Sequence, residues 1–253
     1  MDATMSLKWN SAVILVHFPK NGHHGCNKHC HFCLANKIDY NIEVKPTDNE
    51  IISFISNVKD GGKIQICGIG DPLFNFEENS EYLCHIIDII HHYNHPIEIV
   101  TKYTEVVQEY LDTKLSSIEI FLFSVEAINS DIYNLINKIT SLGKYVRIAK
   151  VANFTPDIHK LDYKFLESYV AFYSNITNKK NLKICFRPNF NFEYNDIDVL
   201  IEQAKIASWA YKYDCHVYMH AADKYLATKQ LWNGRFIPCG ETRKYLLADM
   251  GIN

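Results

Sequence analysis

The feature that most constrains this chain is a regular alternation of short apolar, β-branched runs with longer amphipathic stretches. Strand patterns fall at Val13–Phe18, Lys63–Cys67, Ile97–Lys102, Ile118–Val125, Tyr145–Asn153, Leu182–Pro188 and Cys215–His220. Helical patterns lie between them, near Asn49–Val58, Ser80–Tyr93, Thr104–Leu111, Asp131–Leu142, Asp162–Tyr173 and Asn195–Tyr213. Strands separated by helices pair in parallel through right-handed crossovers. The pattern therefore predicts an α/β fold with a parallel sheet, six strand–helix units rolled into an incomplete barrel. For the helix near Asp131, Ser130 is the expected N-cap, and Gly143 stands just past the other end.

A chain of 253 residues is most simply one domain, with residues from about 222 to 253 as a short C-terminal tail. Its 47% hydrophobic content, with 14 Phe and 16 Tyr, supplies a large core. The apolar run Val13–Phe18 is too short to cross a bilayer, and no signal peptide precedes it. Eight irregularly spaced cysteines, three of them clustered, argue for a reducing cytoplasm rather than a disulfide framework. A net charge of −3 gives no global electrostatic case for nucleic-acid binding, although a local basic groove is compatible with it.

The clustered cysteines are Cys26, Cys30 and Cys33, in a Cys-x3-Cys-x2-Cys spacing just after the first apolar run. Thiolates select iron–sulfur clusters or zinc. Three of them in one loop can hold three irons of a [4Fe–4S] cluster and leave the fourth open to a small molecule. Zinc is the alternative, with His23, His24, His29 or His31 as fourth ligand. A second motif follows the strand pattern ending at Cys67: Gly68-Ile-Gly-Asp-Pro-Leu-Phe74. Glycine belongs where backbone approaches a ligand or takes positive φ, and proline then stops the strand.

Together these motifs resemble the radical S-adenosylmethionine (SAM) superfamily. Phe32 matches the aromatic usually found before the third cysteine. Gly68, Gly70, Asp71 and Pro72 resemble the family's Gly-Gly-Glu-Pro turn, with Ile69 at the first glycine and Asp71 in place of glutamate. The resemblance implies a [4Fe–4S] cluster whose open iron binds the amino and carboxylate groups of SAM, and a turn that receives the SAM amino group. It also implies an external electron donor such as flavodoxin or ferredoxin. The reaction it implies is reductive cleavage of SAM to methionine and a 5′-deoxyadenosyl radical that abstracts hydrogen from substrate.

Ligand sites of parallel barrels lie at the carboxyl ends of the strands. On the 118–125 strand pattern, Ser124 and Glu126 share a face with Ile118, Ile120 and Leu122 by period two. They are candidates for SAM contact, as polar residues on this strand are in the family, or else meet solvent. Arg187, beside the strand-ending Pro188, is a candidate to grip a substrate carboxylate or phosphate. Cys239, between Pro238 and Gly240 in the tail, is either an inert thiol or a catalytic one that quenches a substrate radical or acts as a nucleophile. A Cys-Gly pair near the C-terminus, with the glycine-rich turn, resembles the radical SAM methyltransferases of ribosomal RNA, though this chain is shorter.

The dispersed Cys67, Cys84, Cys185, Cys215 and Cys239 suggest no auxiliary cluster. Three readings of the function follow. The first is isomerisation or another rearrangement of a small-molecule, nucleotide-derived or modified-base substrate. Spore photoproduct lyase, deazaguanine synthases and the phage enzymes that rearrange amino-acid-decorated thymine show that compact barrels of this type suit such work, and the chain closely matches none of them. The second is a glycyl-radical activase, and the third a zinc-binding interaction module.

Overall fold

The computed structural model describes residues 5–8, 11–20, 25–28, 30, 42–68, 70–125, 128–151, 171–187, 217–220 and 237–239. The chain divides into two compact units, residues 1–123 and 124–253. In the first, β1 (Met5–Lys8) runs antiparallel to β2 (Ser11–Leu15). Three further strands then add in parallel: β3 (Ile64–Cys67), β4 (Ile97–Thr101) and β5 (Ile120–Ser124), whose last residue marks the division. The intervening helices are α1 (Asp48–Ile55), α2 (Phe76–His92) and α3 (Thr104–Tyr110). This is the alternating α/β class that the sequence pattern predicts.

Side-chain spacing explains the packing. On α2, Phe76, Ser80, Leu83, Ile87 and Ile90 recur at intervals of three and four and are all buried. That stripe faces inward, and α2 packs against β4 and α1. On the strands, Ile64, Ile66, Ile97, Ile99 and Phe121 are each without exposed surface. Buried on both sides, such strands read as continuous apolar runs. Two neighbouring polar residues interrupt them: Gln65 on β3 and, fully buried, Glu98 on β4. The Glu98 carboxylate accepts from Lys63 Nζ at 2.5 Å and from the Gln65 side chain, which ties the amino ends of β3 and β4 together. At the start of α1, Thr47 and Glu50 form a reciprocal capping box.

The second unit opens with α4 (Ser130–Ser141) and continues through four parallel strands: β6 (Tyr145–Val151), β7 (Leu182–Arg187), β8 (Val217–His220) and β9 (Ile237–Cys239). Gly143 takes φ +79 just past α4, where a side chain would be strained. Asn181, nearly buried, donates to Gly143 O at 2.8 Å and Lys144 O at 3.1 Å, and so binds the entrance of β7 to the turn before β6.

Several boundaries differ from the sequence pattern for local reasons. The 118–125 strand begins only at Ile120, because Ile118 N closes a turn onto Leu115 O. Helix α2 starts at Phe76, ahead of Ser80. Ser80 resembles an N-cap but lies inside the helix, where its hydroxyl donates to Glu77 O and accepts from Lys114 Nζ. Within the tail, Ile237–Cys239 form a strand, β9. Residues 171–173 are helical, while the rest of the expected helix from Asp162 and all of that from Asn195 lie outside the described residues. Among the described residues, no helix is long and apolar enough to cross a membrane.

The N-cap of α4 is Asn129, not Ser130. Asn129 has extended backbone and its Oδ1 accepts from Ile132 N at 2.9 Å, whereas Ser130 is already helical. Loss of an N-cap side chain costs about 1 kcal/mol. Asn129→Ala should therefore lower stability by that amount in denaturant titration, and Ser130→Ala should leave it nearly unchanged.

Candidate functional site

The first unit brings the cysteine loop and the glycine turn together at the carboxyl ends of β3 and β4. Gly25, immediately before the first cysteine, is buried with φ +63. A Cβ there would lie 2.8 Å from His17 Nδ1, so backbone conformation and close packing both demand glycine. His17 is itself set by a two-way main-chain bridge to Val44. The loop turns back at Gly25, and Gly25 O accepts from Asp71 N at 2.8 Å. Gly68 closes the other side, with Val16 O only 2.6 Å from where its Cβ would stand.

Asp71 joins these parts. Its carboxylate is buried and accepts three hydrogen bonds: from Leu73 N at 3.0 Å, Thr101 Oγ1 at 2.7 Å and Lys102 N at 2.6 Å. Turn, strand end and cysteine loop are thus held by one residue. Burial pushes the carboxyl up to about 6, against the opposing pull of the bonds from Lys102, Leu73 and Thr101. Pro72, Leu73 and Phe74 are buried beneath the turn, and Gly70 is half-buried. From Thr101 the network continues: Thr101 Oγ1 accepts from Tyr103 N at 2.9 Å, which sets the backbone of Tyr103 beside the loop.

The cysteine loop carries Cys26 and Cys30, both half-buried and neither in a disulfide. Lys28 N donates toward Cys26 Sγ at 3.4 Å, and the Cys30 thiol donates to Lys28 O at 2.9 Å. Burial raises the Cys26 thiol, opposed first by the Lys28 N–H. On metal binding both thiols lose their protons: the Lys28 N–H aimed at Cys26 sulfur then favours that thiolate, while Cys30 gives up its bond to Lys28 O. Soft sulfur donors in a short loop beside a glycine turn fit an iron–sulfur cluster. Cys33 and Phe32 lie outside the described residues. Among those described, no three metal-binding side chains converge.

Elsewhere, Ser124 is half-buried at the carboxyl end of β5, and Glu126 lies outside the described residues. In the second unit, Arg187 closes β7 in register with Val151, and Cys239 closes β9 in register with His220. Both stand at carboxyl ends of parallel strands. Thr101, Tyr103, Asn27 and His17 escape the sequence reading. The strand-end rule points to Thr101 and Tyr103, which follow directly from the Ile97–Lys102 pattern. Asn27 occupies an unspecified position inside the Cys26-x3-Cys30 spacing, and no motif marks His17.

Residues 21–153 match the family model of the radical SAM superfamily. No curated protein matches the chain. Among solved structures, Streptococcus suis SuiB aligns with a TM-score of 0.53 at 16% identity, over 82% of this chain and 50% of that one. The chain thus spans about half of SuiB's length, and the likeness is one of fold. Citrate synthase SbnG aligns at a TM-score of 0.40 and 9% identity, over 79% of this chain and 85% of that one, too loosely to carry an argument.

The raised Asp71 carboxyl has a measurable consequence. A group that binds its proton more tightly when folded favours folding at low pH, and that contribution is lost as pH rises from 3.8 to about 6. The stability of wild type relative to Asp71→Asn should fall by up to about 3 kcal/mol across that window. Urea unfolding at intervals of pH checks it, and a flat difference contradicts the burial of this carboxyl.

Proposed function

The chain belongs to the radical SAM superfamily and is an enzyme using a [4Fe–4S] cluster and SAM, and from that premise we propose that it rearranges or isomerises a nucleotide-derived or modified-base substrate. Cys26, Cys30 and Cys33 would hold the cluster. The observation that supports this assignment most directly is the main-chain bond from Asp71 N to Gly25 O, which binds the glycine turn to the cysteine loop. Once bound, cluster and SAM supply reductive cleavage to methionine and a hydrogen-abstracting 5′-deoxyadenosyl radical. The electron would come from an external donor such as flavodoxin or ferredoxin.

The chain's own residues bind, orient and exclude water. Gly68, Gly70 and Pro72 would present backbone to the SAM amino group. Asp71 would act through the turn it fixes, because its carboxylate is already occupied by Leu73, Thr101 and Lys102. Phe32 would pack beside the third cysteine, and Ser124 and Glu126 would contact the ribose or methionine portion of SAM. Arg187, at the carboxyl end of β7, is the candidate grip for a substrate phosphate or carboxylate. Cys239, at the end of β9, is the candidate thiol for returning a hydrogen atom to a substrate radical. A cytoplasmic setting suits the thiols and the oxygen-sensitive cofactor.

Reduced enzyme with SAM should transfer deuterium from a labelled nucleotide, DNA or RNA pool into 5′-deoxyadenosine. If transfer instead required a protein fraction and no nucleotide pool contributed, the enzyme would be a glycyl-radical activase. In the same assay Arg187→Ala should weaken substrate binding by about 1.5–3 kcal/mol, the worth of one charge-assisted hydrogen bond, and leave uncoupled SAM cleavage intact. Unchanged substrate dependence would remove Arg187 from the site.

A further inference from the structure

We propose that Tyr103 is a positioning residue for Cys26 that raises the cluster's reduction potential, and that Asn27 opposes it by competing for the same hydroxyl proton. The inference rests on the reading of Cys26 as a cluster ligand. Tyr103 follows the carboxyl end of β4 and is 7% exposed. Its ring is held against Phe74, with centroids 6.2 Å apart, and Lys28 Nζ lies 4.6 Å above it. Its backbone is fixed through Thr101 to Asp71. Among the described residues, the hydrogen-bonding partners of its hydroxyl belong to the cysteine loop: Asn27 N donates to it at 3.1 Å, Asn27 Oδ1 lies 2.6 Å away and Cys26 Sγ 3.8 Å away.

A phenolic hydroxyl has one proton to give. Here two acceptors are within reach, and the nearer is the Asn27 amide oxygen. A cysteine sulfur bound to iron carries more negative charge than a thiol and draws the same dipole more strongly. Hydrogen bonds to cluster sulfurs stabilise the reduced, more negative state and raise the potential. Lys28 N–H, 3.4 Å from the same sulfur, acts in the same sense. If Tyr103 merely propped the loop, its ring would suffice.

The two substitutions therefore act with opposite signs. Full-length protein, anaerobically reconstituted and without SAM, is titrated potentiometrically with the cluster's EPR signal as readout. Tyr103→Phe keeps the ring and should shift the midpoint to more negative potential at wild-type iron content. Asn27→Ala removes the competing acceptor and should shift it to more positive potential. In the Tyr103→Phe background, Asn27→Ala should produce no positive shift, because there is no proton left to redirect. Midpoints unchanged in both single variants, or moved in the same direction as a loosened loop would move them, overturn the proposal. If Tyr103→Phe fails to assemble a cluster, Asn27→Ala alone decides: a positive shift supports the proposal, and no shift or a negative one overturns it. A wild-type protein that takes up no iron overturns the ligand assignment as well, so the two failures are distinct.

Discussion

The arrangement of the first unit depends on one buried carboxylate. Asp71 contributes four hydrogen bonds to three separate stretches of chain: its N–H to Gly25 O, its carboxylate to Leu73 N, to Lys102 N and to the Thr101 hydroxyl. Taking a carboxylate out of water costs several kcal/mol, and bonds to a charged acceptor return about 1.5–3 kcal/mol each. Three such bonds offset most of that cost, yet the carboxyl remains raised to about 6, so desolvation still outweighs them. Asparagine cannot reproduce the set. It would place an amide donor against either Lys102 N or the pair formed by Leu73 N and Thr101.

From this clamp the order of the site propagates outward. Thr101 passes a bond to Tyr103 N, and the Tyr103 hydroxyl meets the cysteine loop at Asn27 and Cys26. Gly25 and Gly68 allow the approach, one through positive φ against His17 and the other through its closeness to Val16 O. The ion pair Lys28–Glu105, half-exposed at 2.7 Å, adds little by comparison. Rigidity here comes from buried bonds of the Asp71 carboxylate and the Thr101 hydroxyl to main chain, together with the main-chain bond to Gly25.

Much of this was legible in the amino-acid order. The period-two and period-3.6 runs mark the parallel strands and most helices, and the Cys26 triplet and Gly68–Pro72 turn mark the candidate site. What escaped depends on contacts distant along the chain. His17 precedes the triplet by nine positions, and only folding brings its ring against Gly25. Tyr103 reads as an ordinary aromatic between strand and helix until β4 is placed beside β3. Strand β1 pairs antiparallel at the sheet edge, where its four residues, Met5–Lys8, carry too short a pattern to detect. Strand β9 is shorter still and contains Pro238, a residue that argues against a strand. Asn129 and Ser130 are both good caps, and only the backbone angles choose between them.

The most direct test of this account is whether the cysteine loop takes up iron. Anaerobic reconstitution should give about four irons and four sulfides per chain, a reducible EPR signal, and a change in that signal when SAM is added. Replacing any of Cys26, Cys30 or Cys33 by Ala should abolish all three. Stoichiometric zinc with no iron uptake, or a SAM-responsive cluster that survives in Cys26→Ala, would contradict it.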